Sequence, residues 1–215
     1  MSKTISDIYD EYKIMPGLQN HMLRVAGVAS LICDSIENPV NRKDIIITCL
    51  LHDMGNIIKS NLEYFQEFLK PKGLEYWQKV KDEYLKKYGA SEHLATLKII
   101  KEIGVSKKVS DLVARIYFSE IFDILNKPIE NQISLYADCR VSPFGIVSFS
   151  DRFLEAKNRY KNRKNRITDE QWKIAEDILL KVENNIFSKC KGKPEDINDE
   201  TVKPIVLELK NFVIK

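Results

Sequence analysis

The chain carries few groups able to do metal or acid–base chemistry, and several of them stand close together. There are three histidines in 215 residues: His21, His52 and His93. His52 is followed at once by Asp53, at the end of the apolar stretch ITCLLHDMGN, positions 47–56. Imidazole and carboxylate are both good ligands for a divalent metal. Neighbouring residues on a helix point about 100 degrees apart, so His52 and Asp53 can share an ion only at a frayed helix end. Gly55, just beyond them, suits such an end. The alternative is plain: His52 could be a satisfied core histidine and Asp53 could pair with a lysine.

The elements that must position these groups read as helices throughout. Pro16-Gly17 precedes a helix over about 19–36, where Leu23, Ala26, Val28, Leu31 and Ile32 recur at helical spacing. Asn38-Pro39 breaks it, and Asn41 can cap a second helix from Arg42 to about Met54. Helices joined by a short loop usually pack antiparallel, so the start of the first would lie beside the end of the second, with His21 near His52 and Asp53. Further helices are expected over about 62–88 with a break near 71–73, from Ser91 to Ile103 closed by Gly104, and over about 106–125. Others follow over 131–139, 148–161, 169–189 and 200–213. No alternating strand pattern of useful length occurs. The expectation is an all-α chain, one domain over 1–215, without internal repeat or long linker.

Bulk composition excludes several classes. Lys and Arg number 34 against 31 Asp and Glu, a net charge of +3, which does not mark a nucleic-acid binder. The basic run KNRYKNRKNR, 157–166, could follow a phosphate backbone, but it holds one aromatic and fits the cationic end of a helix. Nucleic acid is therefore not the expected partner. The four cysteines are scattered with no CxxC pair, as in a reducing compartment. No apolar run is long enough to span a bilayer, and no signal layout opens the chain. A soluble cytoplasmic protein is expected.

Taken together, His21, LLHDMGN at 50–56, YGASEHLATLKIIKEIG at 88–104 and YADCRVS at 136–142 resemble the HD-domain superfamily of metal-dependent phosphohydrolases. The likeness spans about 18–160, leaving a C-terminal helical extension over about 168–215 in which no motif is legible. It implies a helical bundle with a buried metal site. His21, His52, Asp53 and Asp138 would be ligands to one divalent ion, with manganese, iron, zinc, magnesium, cobalt and nickel not distinguished. Metal-bound water would attack phosphorus in a small phosphate ester, a nucleotide among the candidates, with phosphomonoester or nucleotidase chemistry preferred over phosphodiester. Asp53 and His93 are the expected catalytic residues. Arg24, Asn56, Lys59 and His93 are expected to meet substrate. Asp151 competes with Asp138 for the fourth ligand, yet it stands where a helix cap accounts for it.

The chain departs from the resemblance in two places. Some superfamily members have a glutamate three positions after the HD aspartate for proton transfer, and others a lysine that contacts phosphate; here Asn56 stands there. Members with two metals carry extra histidines, of which His93 matches the first and DLVARIYFSEIFDIL supplies no second, so one metal is expected. Asn56 also keeps open a non-catalytic metal- or nucleotide-binding module. Glu92 and Glu120 are weaker acid candidates, and Phe65, Tyr76 or Trp77 in the aromatic stretch 62–77 could line a lid. Oligomeric state is not legible.

Overall fold

The computed structural model describes residues 3–64, 66–160 and 167–214, apart from the Tyr160 side chain. It is an all-α structure, with no strand among the described residues beyond isolated bridges. In chain order the helices are α1 Ile5–Glu11, α2 Pro16–Ser35, α3 Arg42–Leu51, α4 Gly73–Tyr88 and α5 Glu92–Ile103. After them come α6 Lys107–Val113, α7 Ile129–Asp138, α8 Phe149–Tyr160, α9 Asp169–Phe187 and α10 Asp199–Leu209. Short 3-10 turns fill 56–59, 66–69, 118–126 and 194–196.

Local chemistry accounts for most boundaries. Pro16 opens α2, where its missing N–H costs nothing. Asn41 caps α3, Ser91 caps α5, Ser106 caps α6 and Thr168 caps α9, each accepting from a backbone N–H of the first turn. Gly104 ends α5 in the left-handed conformation at φ 75, ψ 42.

Three expected boundaries are corrected. The second expected helix stops at Leu51, three residues before Met54, so His52 and Asp53 lie in the turn that follows. The helix expected over 106–125 is α6 followed by a 3-10 run from Phe118 to Asn126. The helix expected over 62–88 begins regular α structure only at Gly73. Trp77 is buried there, its Nε1 donating to the Leu69 carbonyl at 2.9 Å, and Tyr76 packs edge-on against it at 5.0 Å. Both are wall rather than lid, and Phe65 lies outside the described residues.

The α2 helix is the axis of the bundle, packed against α3, α7 and α10. Gly27 permits the last contact: a Cβ there would stand 2.5 Å from Val202 Cγ1. One apolar core runs through the described chain, from Ile5 to Ile214. The segments outside the helical hub close over it: Tyr9 of α1 donates its hydroxyl to the Leu50 carbonyl near the end of α3 at 2.7 Å. Among the described residues no helix is long and apolar enough to cross a membrane.

The Gly27 contact yields a stability expectation. Replacing Gly27 by Val should destabilise the fold by about 1–3 kcal/mol through overpacking against α10, measured as a lowered urea midpoint with an unchanged slope.

Candidate metal centre

Three elements end at one point. His21 lies one turn into α2, His52 caps the C-terminus of α3 with Asp53 beside it, and Asp138 is the last residue of α7. His21 Nε2 is 3.0 Å from Asp138 Oδ1 and 3.8 Å from Asp53 Oδ2. His52 Nε2 is 3.5 Å from Asp138 Oδ1 and 3.8 Å from Asp53 Oδ2. The two imidazole rings are 5.4 Å apart between centroids, tilted by 58°. His21, His52 and Asp53 offer ligand atoms all within 4.8 Å of one another.

His52 is the most telling member. Its side chain is 2% exposed, and its Nδ1 lies 2.8 Å from the Cys49 carbonyl, so Nδ1 carries a hydrogen and donates it. Nε2 faces the two carboxylates and finds no hydrogen-bond partner among the described residues. A buried polar atom so placed costs stability unless something binds it. A divalent ion fits that requirement, since a ligating imidazole commonly has its other nitrogen tied to a carbonyl.

The electrostatics agree with a cation-shaped gap. Burial pushes the His52 imidazolium down, but Asp53 and Asp138 outweigh it and raise its pKa to about 9. Burial pushes the Asp138 carboxyl up, and the hydrogen bond from His21 with the nearness of His52 holds it well below the ordinary 3.8. Without an ion, the carboxylates keep a proton on His52 that a metal would displace.

The turn carrying Asp53 is fixed from below. Gly55 donates its N–H to Thr96 Oγ1 of α5 at 2.9 Å, and a Cβ on Gly55 would stand 2.4 Å from the Glu92 carbonyl oxygen. Close approach to α5, not fraying, is thus why glycine follows the His-Asp pair. Asn56 Nδ2 donates to Asp53 Oδ2, while its Oδ1 is buried with no partner among the described residues.

The other expected site residues divide. Arg24 reaches a surface acid, Asp199, at 3.9 Å. Lys59 faces Glu92 at 3.5 Å and Glu120 faces Arg115 at 3.4 Å. His93 stacks on Tyr117 with centroids 5.0 Å apart, and burial lowers its pKa below 6.5 against the raising charges of Glu92, Glu120 and Asp53. Asp151 is taken up by its own helix: Ser148 Oγ donates to it at 2.7 Å and its N–H returns to Ser148 Oγ at 3.1 Å. In the basic run, Lys157 pairs with Asp169 and Arg159 with Glu155, while 161–166 lie outside the described residues.

One positioning residue was not foreseen. Arg140, two residues past Asp138, is buried and donates to the Val147, Pro194 and Ile197 carbonyls and to Tyr136 Oη, which in turn donates to Glu183. It ties the chain just after Asp138 to the C-terminal segment. Its signal was an arginine inside otherwise apolar text, since a buried guanidinium needs acceptors on several sides.

Two expectations follow. His52→Ala and Asp138→Ala should each abolish tight binding of a divalent ion, read by calorimetry. In chelated protein, His52 stabilises the fold fully below pH 6.5 and loses that contribution as pH rises through about 9. Asp138 contributes above pH 3.8 and loses it as pH falls through its lowered value. The Tm of the chelated protein should therefore fall between about pH 6.5 and 9, and the increment from added metal should grow over the same range.

A family model described as HD domain matches residues 18–153. No curated protein matches the chain, and no solved structure does.

Proposed function

The chain belongs to the HD-domain family, and on that premise we propose that it is a metal-dependent phosphohydrolase of a small phosphorylated molecule, a nucleotide being the first to test. HD domains are generally metal-dependent phosphohydrolases, though the family includes non-catalytic members. The observation that carries the reading is the buried, unpartnered His52 Nε2 facing Asp53 and Asp138, with His21 closing the fourth side.

In this reading His21, His52, Asp53 and Asp138 hold one divalent ion. When bound, the ion supplies Lewis acidity toward phosphoryl oxygen and an acidified water. The chain supplies the rest. Asn56 fixes the carboxylate of Asp53 through its amide, so it acts as a positioning residue. His93, neutral at pH 7, offers a ring N–H to a phosphate oxygen. Lys59, facing Glu92, and Arg24, three residues past His21 on α2 and facing Asp199, add positive charge, each tempered by its acid. Lys59 also lines a hollow of about 570 Å³ with Ser60, Asn61, Gln78 and Lys81, to which none of the four candidate ligands contributes. Release of a terminal phosphate is preferred to phosphodiester cleavage, and the described residues act as one HD-type unit with a C-terminal helical extension.

A second reading has one observation in its favour. Asn56 stands where a proton-transferring glutamate would serve turnover, as in a module that binds metal or nucleotide without hydrolysis.

Phosphate release from nucleotides and simple phosphomonoesters, assayed across several divalent metals, decides between them. Turnover should require metal and fall by at least about 10³-fold in Asp53→Ala, as expected when a group that assembles the reaction centre is lost. No release from protein shown to hold its ion would support the binding module.

A further inference from the structure

Resting on the hydrolase reading, we infer that the leaving group departs from this centre without a proton from the protein, which makes the substrate a phosphoanhydride rather than an alkyl phosphate. The inference follows from an inventory of the groups around Asp53.

The residue three positions past Asp53, whose side chain touches the Asp53 carboxylate, is an amide and not an acid. Its Nδ2 is committed to Asp53 and its remaining atom, Oδ1, is an acceptor that attracts a hydrogen rather than supplying one. Glu92 and Glu120 each face a cation, Lys59 and Arg115. His93 is packed against Tyr117, and burial with the charge of Lys59 outweighs Glu92, Glu120 and Asp53 in lowering its pKa, so its ring is neutral at pH 7. No other histidine remains outside the ligand set.

The balance is then simple. The water oxygen bonds to phosphorus and the bond from phosphorus to the leaving oxygen breaks. Both water hydrogens stay with the released phosphate, which ionises to solvent. The electron pair of the broken bond leaves on the departing oxygen, which must be stable as an anion. A phosphate or pyrophosphate oxygen is stable in that form and an alkoxide is not. Phosphoryl transfer passes through a loose transition state with charge building on the leaving oxygen, so an unprotonated departure makes rate depend steeply on leaving-group acidity.

Two readouts on the metal-loaded full chain test this. The first is an NMR titration of the His93 ring, assigned by comparison with His93→Gln. It should titrate below 6.5; a pKa above about 7 would place a protonated imidazolium at hand and overturn the inference. The second is the rate with p-nitrophenyl, phenyl and methyl phosphates and a nucleoside triphosphate. The nitrophenyl ester should exceed the phenyl ester by at least about tenfold, the triphosphate should turn over and the methyl ester should not. Asn56→Glu places an acid at the site and should shrink the nitrophenyl-to-phenyl rate ratio toward one, whatever the variant does to the absolute rates, because a donated proton helps the poorer leaving group more. Should Asn56→Glu lose the ion, the wild-type series decides alone. Equal rates across that series overturn the inference and leave the hydrolase reading standing. No turnover of any member removes the hydrolase reading itself, and this inference with it.

Discussion

A buried imidazole with one nitrogen unclaimed is the constraint around which this bundle is arranged. The Cys49 carbonyl takes Nδ1 of His52, and the fold leaves Nε2 looking at two carboxylates and a second imidazole. Such a cluster is tolerable only if its charges balance at every moment. With no ion the balance is a shared proton held by acids around a base. With an ion it is a cation held by the same acids. Either way α2, α3 and α7 must all present their ends at one point, which a hub of mutually packed helices achieves and a looser arrangement would not.

The supports of that point lie in different parts of the chain. Thr96 and Gly55 lock the His-Asp turn onto α5. Arg140 locks the exit of α7 onto the segment before α10. Gly27 lets α10 lie flat on α2, and Arg24 reaches Asp199 at the start of α10. Each is a contact between the hub and an element that supplies no ligand. The ligand geometry is therefore a property of the whole bundle, in line with the general need for a supported shell around a metal.

Much of this was legible in the sequence. Caps at Asn41, Ser91 and Ser106 and the stop at Gly104 are local chemistry, and local chemistry reads well from residue order. The nearness of His21 to His52 followed from antiparallel packing of α2 and α3. What failed was where α structure gives way to 3-10: the ends of α3 and α6 depend on tertiary partners such as α5 and α9 that no short window contains. Gly55 was credited to a frayed end, yet the cause is a neighbouring helix 41 residues away in sequence at Thr96. Arg140 was passed over because its acceptors lie 54 and 57 residues downstream.

The hydrogen bonds that join the two ends of the described chain carry a kinetic consequence. Ile5 N–H meets the Phe212 carbonyl, Ile214 N–H meets the Lys3 carbonyl, and Ser6 Oγ meets the Lys210 carbonyl across a separation of 204 residues. Contacts of such span close late in folding, after the loop entropy between them has been met by nearer ones. On a ribosome the α2–α3 hairpin emerges long before α10, so α2 spends much of synthesis with its Gly27 face uncovered. His21, His52 and Asp53 would thus meet one another early, while Asp138 comes later and α10, which locks their scaffold, later still.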